Sequence, residues 1–177
     1  MTIIQLSGGM GTIEGTDTNM LTMMRGQKLG AKPLFLQSPV VVKDKQTKKA
    51  LLKEKSVAEI LSIARKTDLA LVGIGLLDRQ GLLRQSGMME EQDYTVLKKA
   101  GAVGAICGRC FDISGKPCIS DWDDRVIGLT LKELKRIKHK VGIAFGEEKL
   151  NGIVGALNGR YLDVLITDED VAGRLLL

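Results

Sequence analysis

Short apolar runs that end in glycine recur along this chain, and they constrain its fold more than any other feature. Residues 2–6, 68–75 and 139–146 are such runs, and patterns of helical period lie between them. Apolar runs bounded by glycine are typical of strands, and strands that alternate with helices across short loops predict an α/β fold. We expect a Rossmann-like, mostly parallel sheet with flanking helices, in which strand 68–75 is covered on both faces.

The starts of several helices can be predicted from capping signals. Ser56 with Glu59 and Thr130 with Glu133 have the spacing of capping boxes, and Thr167 is the expected N-cap of a last helix. Other expected elements are helices at residues 16–30, 94–100 and 147–159, extended segments at residues 33–42 and 103–106, a loop at residues 76–93 and a turn-rich segment at residues 108–118.

The composition is that of a globular domain with an aliphatic core. The 177 residues suffice for one domain, and 44% of them are hydrophobic while only 3% are aromatic. No apolar run approaches the roughly 18 residues of a membrane span, and no signal-peptide pattern opens the chain. We therefore expect no membrane partner and a cytoplasmic location.

Two basic segments, residues 43–55 and 132–140, account for most of the net charge of +5. Neither segment has the interleaved aromatic side chains on which nucleic-acid bases stack. Charge clusters alone are weak evidence for nucleic-acid contact, so solvated helix faces are the favoured interpretation.

Glycine-rich strand ends are the main functional signal of the sequence. Ligands of open α/β sheets bind outside the carboxyl ends of the strands, and the strand ends here carry Gly8, Gly9, Gly73, Gly75 and Gly146. None of them fits the dinucleotide fingerprint Gly-x-Gly-x-x-Gly, and no Walker A sequence is present, so a nucleotide cofactor is not expected. Backbone N–H groups at a helix start can nevertheless hold an anion without a fixed glycine code.

Lys149 and Arg109 are the candidate cations for such an anion. Lys149 lies in the first turn of a predicted helix, where a cation is unfavourable unless an anion shares the terminus. The alternative is a surface lysine tolerated by Glu147 and Glu148. Arg109 follows a predicted strand and can fork onto a phosphate or a carboxylate, or it can form a salt bridge to Asp112.

The cysteines and the single histidine do not combine into a recognisable site. Cys107 and Cys110 form Cys-x-x-Cys with Cys118 nearby, but a zinc site needs four ligands and His139 begins a distant strand. A redox dithiol is expected at a helix start, whereas residues 111–115 are predicted to turn. Small buried thiols are therefore favoured, and neither a metal nor a cofactor is expected.

Six segments taken together are more specific evidence for a protein family than any one of them alone. They are IIQLSGG followed by Asn19, GAKPLFLQSP, DLALVGIG, AGAVGAICGRCFDISGKP, DDRVIGLTLKEL and VGIAFGEEKLNGIVGALNGRYLDVLITDEDVAGRLL. In this order they resemble the effector-binding domain of the SorC-type bacterial transcription regulators, and the resemblance covers nearly the whole chain.

The resemblance implies both a fold and a ligand. The fold would be similar to that of sugar-phosphate isomerases and glucosamine-phosphate deaminases, and a phosphorylated sugar would bind and alter the affinity of an attached helix-turn-helix for operator DNA. Regulators that read palindromic sites are dimers or tetramers, so a homodimer or homotetramer is expected. The implied ligand contacts are Gly8, Gly9, Asp17, Asn19, Gly73, Gly75, Arg109, Gly146 and Lys149.

Three departures from the family pattern add further expectations. The DNA-binding helices of the family are absent from residues 1–177, so operator DNA would be reached only through another domain. The family's domain begins earlier, with a strand, a Gly/Ser/Thr-rich loop and a helix, so one strand and part of the pocket would be missing. The family has two glycines before the helix of Lys149, and Phe145 at the first of these positions would narrow the pocket.

Two other functions stay open from the sequence. A sugar-phosphate isomerase or deaminase of the same fold would need a general base near C1 and C2 of the sugar, for which Asp17 and Asp124 are candidates. Alternatively, the chain folds and oligomerises without binding any sugar, because its first phosphate loop is elsewhere. The sequence favours a ligand-sensing domain over both.

Overall fold

A computed structural model shows a mixed α/β architecture and describes residues 1–9, 18–78 and 81–176. The strands are β1 (Thr2–Ile4), β2 (Lys32–Leu34), β3 (Leu69–Gly73), β4 (Gly75–Leu76), β5 (Ala102–Ile106), β6 (Arg109–Asp112), β7 (His139–Ile143) and β8 (Val164–Ile166). The helices are α1 (Thr18–Lys28), α2 (Lys45–Leu51), α3 (Lys55–Ala64), α4 (Leu82–Gln85), α5 (Glu91–Lys99), α6 (Leu131–Leu134), α7 (Leu150–Asn158) and α8 (Glu169–Leu175), with a 3₁₀ turn at Glu147–Lys149.

Parallel sheets flanked by helices confirm the predicted α/β fold. Among the described residues, β1 pairs in parallel with β2, and a second parallel sheet has the strand order β3-β7-β8. The strand β7, the helix α7 and the strand β8 form a βαβ unit, in which the helix crosses over the sheet. The remaining sheet, β4-β5-β6, is antiparallel, so the fold is less uniformly parallel than the sequence predicts.

One face of the β3-β7-β8 sheet is open to solvent, which contradicts the expectation that strand 68–75 is covered on both sides. Ala70 and Val72 of β3 point into the main core, while Leu69 and Leu71 are 53% and 58% exposed. The helices α3, α6, α7 and α8 all contribute to the core on the buried side. An all-apolar strand therefore has only one covered face here.

A tight hairpin places the strand β6 within the segment predicted to be turn-rich, residues 108–118. β5 and β6 pair with Ile106 opposite Arg109, so only Cys107 and Gly108 connect them. Both connecting residues have positive φ, at 52° and 76°, as type I′ hairpin turns require. The glycine that follows the cysteine is the signal for this turn.

The predicted helix caps are confirmed at one of three positions. Thr130 accepts a hydrogen bond from the Glu133 amide at 3.1 Å, and the Glu133 carboxylate accepts one from the Thr130 amide at 2.8 Å. The other two predictions are wrong, because α3 begins at Lys55 with Glu54 at its N-cap, and α8 is capped by Asp168 rather than by Thr167.

Three apolar clusters hold the sheets and helices together. The largest joins β3, β5, β6 and Ala144, which follows β7, to the covering helices, and Tyr161 within it donates a hydrogen bond to the Gly115 carbonyl at 2.6 Å. Ile4 and Leu6 pack against the same cluster, which links the β1-β2 sheet to the rest of the molecule. Over the described ranges, no helix combines the length and the hydropathy needed to cross a bilayer.

Candidate ligand-binding site

An open cleft of about 520 Å³ lies at the carboxyl end of β1 and beside the start of α1. Its volume falls in the range that small-molecule sites occupy. The polar groups around it come from a strand end, a helix start and the segment after β2. Its lining residues are Gly9, Asn19, Leu36, Gln37, Ser38, Pro39 and Met88.

Gly8 and Gly9, which follow β1, join separate backbone segments through hydrogen bonds that their own amides donate. The amide of Gly8 donates to the Ile127 carbonyl at 3.0 Å, and that of Gly9 donates to the Ser38 carbonyl at 2.8 Å. A Cβ atom at Gly8 would overlap the backbone of Pro39. Close packing explains the glycine at position 8, and because both amides already donate to carbonyls, they are not available to bind an anion.

Gln5 organises the wall of the cleft and was missed in the sequence prediction. Its side chain is buried and accepts a hydrogen bond from the Leu36 amide at 2.8 Å. The same side chain donates to Asn19 Oδ1 at 2.9 Å and to Thr22 Oγ1 at 3.3 Å. One amide therefore joins β1, α1 and the segment after β2. A glutamine inside an apolar strand was the signal that could have revealed it.

A second group of predicted residues meets at the carboxyl ends of β3 and β7. Gly73 is paired with Ile143 in the sheet, and β4, which starts at Gly75, lies against the 3₁₀ turn that ends at Lys149. Gly146 precedes that turn with φ of 94°, a conformation that favours glycine. We call Gly73, Gly75, Gly146 and Lys149 the strand-tip group. None of these four lines the cleft beside β1.

Asp168 fixes the backbone of the strand-tip group. It accepts hydrogen bonds from the Gly146 amide at 2.8 Å and from the Val171 amide at 2.9 Å. These backbone donors, Val171 first, hold the pKa of Asp168 below its usual range. The carboxylate therefore stays ionised and ties the loop after β7 to the start of α8.

Lys149 is the cation of the strand-tip group. Its side chain is half-buried, and within the described part of the chain its ammonium takes part in no ion pair. Glu147, one of the two carboxylates that could have neutralised it, is paired with Arg174 at 2.9 Å. The arrangement leaves a positive charge at the start of α7. Phe145, next to Gly146, is 51% exposed at the same strand end.

Arg109 has a different environment from the one predicted. Its guanidinium is buried, donates to the carbonyls of Asp123 at 2.7 Å and Val126 at 3.1 Å, and forms an ion pair with the Asp123 carboxylate at 2.8 Å. The alternative salt bridge to Asp112 is wrong, because Asp112 caps its own turn by accepting from the Ser114 and Lys116 amides. Arg109 anchors residues 123–128 and is not directed into the cleft beside β1.

The structure describes one of the two carboxylates considered as candidate general bases. Asp17 lies outside the described residues. Asp124 is paired with Lys45 at 2.7 Å, and the hydrogen bond from that lysine holds the pKa of Asp124 below its usual range. A carboxylate that is already stabilised in its charged form is a weaker proton acceptor.

The cysteines are free thiols rather than a bridge. Cys110 is buried on β6, and this burial raises the pKa of its thiol to about 12. A thiol with such a pKa is protonated at neutral pH and is a poor nucleophile and metal ligand. Across residues 1–9, 18–78 and 81–176, no group of three or more His, Cys, Asp or Glu side chains could hold a metal ion.

The framework defines the class of the protein as a Rossmann-like α/β domain with candidate ligand residues at the carboxyl ends of its parallel strands. A family model for a sugar-binding domain matches residues 1–177, the whole chain. The chain belongs to this sugar-binding domain family of SorC-type transcriptional regulators.

Curated relatives of the chain are transcriptional regulators. The deoxyribonucleoside regulator of Bacillus subtilis is 31% identical over 175 residues, which are 98% of this chain and 56% of that protein. The sorbitol operon regulator of Klebsiella pneumoniae is 29% identical over 97% of this chain and 55% of its own length. The chain thus spans about half the length of these relatives.

Solved structures agree with the described fold. A DeoR family transcriptional regulator from Listeria monocytogenes has a TM-score of 0.90 at 30% identity, covering 98% of this chain and 68% of that chain. The full-length sorbitol operon regulator from Klebsiella pneumoniae also has a TM-score of 0.90, at 28% identity, and the match covers 98% of this chain and 57% of the other.

Proposed function

We propose that this chain is the effector-sensing domain of a SorC-type regulator and that its effector is a phosphorylated sugar. The half-buried residue Lys149, whose ammonium has no ion pair in the described structure, carries the proposal. A cation at the start of α7 opposes the helix dipole, and a bound phosphate would remove that conflict.

The proposal requires one ligand to reach both Lys149 and the cleft beside β1, and the sugar hydroxyls would then be bound in the cleft. Its rim offers amide and hydroxyl side chains of Asn19, Gln37 and Ser38, and its wall offers apolar contacts from Leu36 and Met88. A few oriented polar groups on an apolar lining are typical of small-molecule sites. Gln5 would keep the rim in place through its bonds to Asn19 and the Leu36 amide.

Thermal unfolding in the presence of sugar phosphates tests this function. The purified chain would be heated with ribose 5-phosphate, sorbitol 6-phosphate or glucosamine 6-phosphate, and with each unphosphorylated sugar. A ligand at a hundred times its Kd adds about 2.7 kcal/mol to the free energy of unfolding, a shift of several degrees. We expect such a shift with at least one phosphorylated sugar and a much smaller one with its unphosphorylated counterpart.

Replacing Lys149 locates the phosphate. A charge-assisted hydrogen bond contributes about 1.5–3 kcal/mol, so Lys149→Met should weaken binding about 10- to 150-fold. Lys98→Met is the matched control, because Lys98 is exposed near the end of α5 and belongs neither to the strand-tip group nor to the lining of the cleft beside β1. This variant should bind as the wild type does. Equal affinity of the two variants would place the phosphate elsewhere, and no shift with any sugar phosphate would contradict the proposed function.

Control of transcription would require more than this chain. Because the relatives are about twice as long, we infer that operator DNA is bound through a helix-turn-helix in another part of a longer protein. The effector can shift that protein between two states only by its difference in affinity for them. Such regulators act as dimers or tetramers on palindromic sites, so we expect the longer protein to be a dimer or a tetramer.

A non-enzymatic role is part of the proposal. The relatives are named as regulators, and the Asp124 carboxylate is held in an ion pair with Lys45. Incubation with ribose 5-phosphate or glucosamine 6-phosphate, with products followed by chromatography, checks this directly. Turnover that disappears in Lys149→Met would overturn the non-enzymatic role.

A further inference from the structure

A group of cations lies at the amino ends of β3, β7 and β8, the sheet edge opposite to the strand-tip group. The cations come from three chain segments, residues 65–68, 132–140 and 160–163. Arg65, just after α3, pairs with Glu133 of α6 at 2.6 Å, which brings the first two segments together. The His139 amide also donates to the Asp68 carbonyl at 3.0 Å. We call the surface of the three segments the basic edge.

The third segment joins the same edge through contacts with the second. The Asp163 amide donates to the Lys140 carbonyl at 2.8 Å, and the Lys135 ammonium lies 4.9 Å from the centre of the Tyr161 ring. Arg160, next to that tyrosine, is exposed. The structure therefore assembles one surface from segments that are far apart in the sequence.

The basic edge carries the charge excess of the chain. It has eight Lys and Arg residues against three Asp and Glu residues, whereas the whole chain has 26 against 21. The edge therefore has the same net charge of +5 as the chain, and all other residues together are neutral. Six of its cations are exposed and take part in no ion pair within the described part of the chain: Lys66, Lys132, Lys135, Arg136, Lys138 and Arg160.

We propose that the basic edge binds the phosphate backbone of double-stranded DNA without reading its sequence. Exposed Lys and Arg side chains supply this kind of binding, because they release the counterions that surround the duplex. The curated relatives are transcriptional regulators about twice as long as this chain, and the longer protein inferred above would hold the domain near DNA. The inference rests on that regulatory role but not on the effector or on Lys149. It departs from the expectation that DNA is reached only through another domain.

A duplex fits this surface better than an acidic protein or a single strand does. The centres of protein interfaces are apolar, rich in aromatic side chains and poor in lysine. The large hydrophobic side chains of the three segments are instead all buried, namely Leu134, Ile137, Tyr161 and Leu162. Single strands are bound by stacking their bases on aromatic rings, and Tyr161, the only Phe, Tyr or Trp of these segments, is not exposed. Charge is what the edge presents, and duplex DNA presents regularly spaced phosphates.

Fluorescence anisotropy of a labelled duplex tests the proposal on the intact chain. A duplex of about 20 base pairs with an arbitrary sequence is titrated at several salt concentrations, and we expect weak binding at low salt that falls steeply as salt is added. Lys132→Gln with Lys138→Gln should weaken binding about tenfold and reduce the salt slope by about two. Lys43→Gln with Lys53→Gln, at exposed positions of the other basic segment, removes the same charge and should bind as the wild type does.

Every outcome of this titration can be interpreted. All four lysines are exposed, so both double variants should fold, as circular dichroism melts would verify. Absence of wild-type binding at low salt would overturn the proposal, and so would equal losses in both variants, since net charge alone would then explain the binding. Tighter binding to a polyglutamate peptide or to one strand of the same duplex would assign the edge to that partner and would equally overturn it. No sugar phosphate is present, so failure here leaves the proposed effector untouched.

Discussion

At the scale of single residues, buried polar side chains organise the region around the cleft. Arg109 satisfies the carbonyls of Asp123 and Val126, and Gln5 satisfies the Leu36 amide. Burying such groups is tolerable only because each hydrogen bond replaces one lost to water. Both side chains therefore connect segments that are distant in sequence. Replacing either one should first of all lower the free energy of unfolding.

Replacing Arg109 separates a structural role from ligand contact. Arg109→Met leaves two carbonyls and the Asp123 carboxylate without their donor, so the free energy of unfolding should fall by about 3 kcal/mol in urea titrations. Arg136→Met, at an exposed position, should have little effect. Where the variant is folded, we expect its affinity for the sugar phosphate to stay within about twofold of the wild type. A loss of affinity of more than about tenfold would mean that Arg109 contacts the ligand.

Gln5 should affect stability and binding together. Gln5→Leu keeps the volume of the side chain but removes the acceptor of the Leu36 amide and the donor to Asn19. We expect a loss of about 1–3 kcal/mol in the free energy of unfolding. The effector affinity should also fall, because the rim residue Asn19 loses its partner. Gln27→Leu, on the last turn of α1, is the control. Unchanged affinity in a folded Gln5→Leu would show that the orientation of Asn19 does not matter for the ligand.

At the scale of elements, the sequence predicted strands and helices well where local signals decide them. Thr130 and Glu133 form the expected capping box at the start of α6, and Arg65 donates to the same carboxylate without disrupting it. Ser56 and Glu59 have the same spacing, but the α2–α3 connection closes through backbone bonds from Lys53 and Glu54, which starts α3 earlier. Such a connection between two helices cannot be predicted from the four residues of a capping-box motif.

The same distinction holds for the candidate site. Gly73, Gly75, Gly146 and Lys149 could be grouped from the sequence, because the carboxyl ends of parallel strands lie together. The burial of Arg109 and the use of the Gly8 and Gly9 amides could not, because their partners lie at residues 38 and 123–128. Long-range partners decide whether a polar group is available to a ligand.

The connection between β7 and β8 should make stability sensitive to acid. Asp163 accepts hydrogen bonds from the Lys140 amide and from its buried ammonium, at 2.8 and 2.7 Å, and the ammonium bond is the larger cause of the lowered pKa of Asp163. A carboxyl with a lowered folded pKa contributes stability above its unfolded pKa of about 3.8, and the contribution is lost as the pH falls through the folded value.

Asp163→Asn tests this coupling. The variant should be less stable than the wild type at pH 7, and the difference between them should shrink as the pH is lowered below about 4. Urea denaturation at a series of pH values measures it, with Asp170→Asn on the first turn of α8 as the control. A difference that stays constant down to pH 2 would mean that the ion pair with Lys140 does not contribute to stability.

At the scale of the whole molecule, burial is unequal on the two sides of the β3-β7-β8 sheet. The core side includes Ala70, Val72 and Ala144, each at most 6% exposed, whereas the opposite side exposes Leu71 and Val164 by more than half. The sequence could not predict this difference. Strands of Leu, Val, Ile and Ala are apolar at every position, so their composition does not indicate which face of the sheet is covered. The exposed side is the feature that most distinguishes this chain from an ordinary closed α/β domain.

The open sheet should give the folded protein a measurable affinity for hydrophobic dyes. Anilinonaphthalene sulfonate binds exposed apolar surface, usually in partly folded states. Here we expect its fluorescence to rise with the folded wild-type chain, because the face of the β3-β7-β8 sheet that carries Leu71 and Val164 is exposed in the native structure. Leu71→Lys with Val164→Lys should lower the signal, while Ile119→Lys with Ile113→Lys, exposed elsewhere, should not. A dye signal that appears only as the protein unfolds would mean that the face is covered in solution.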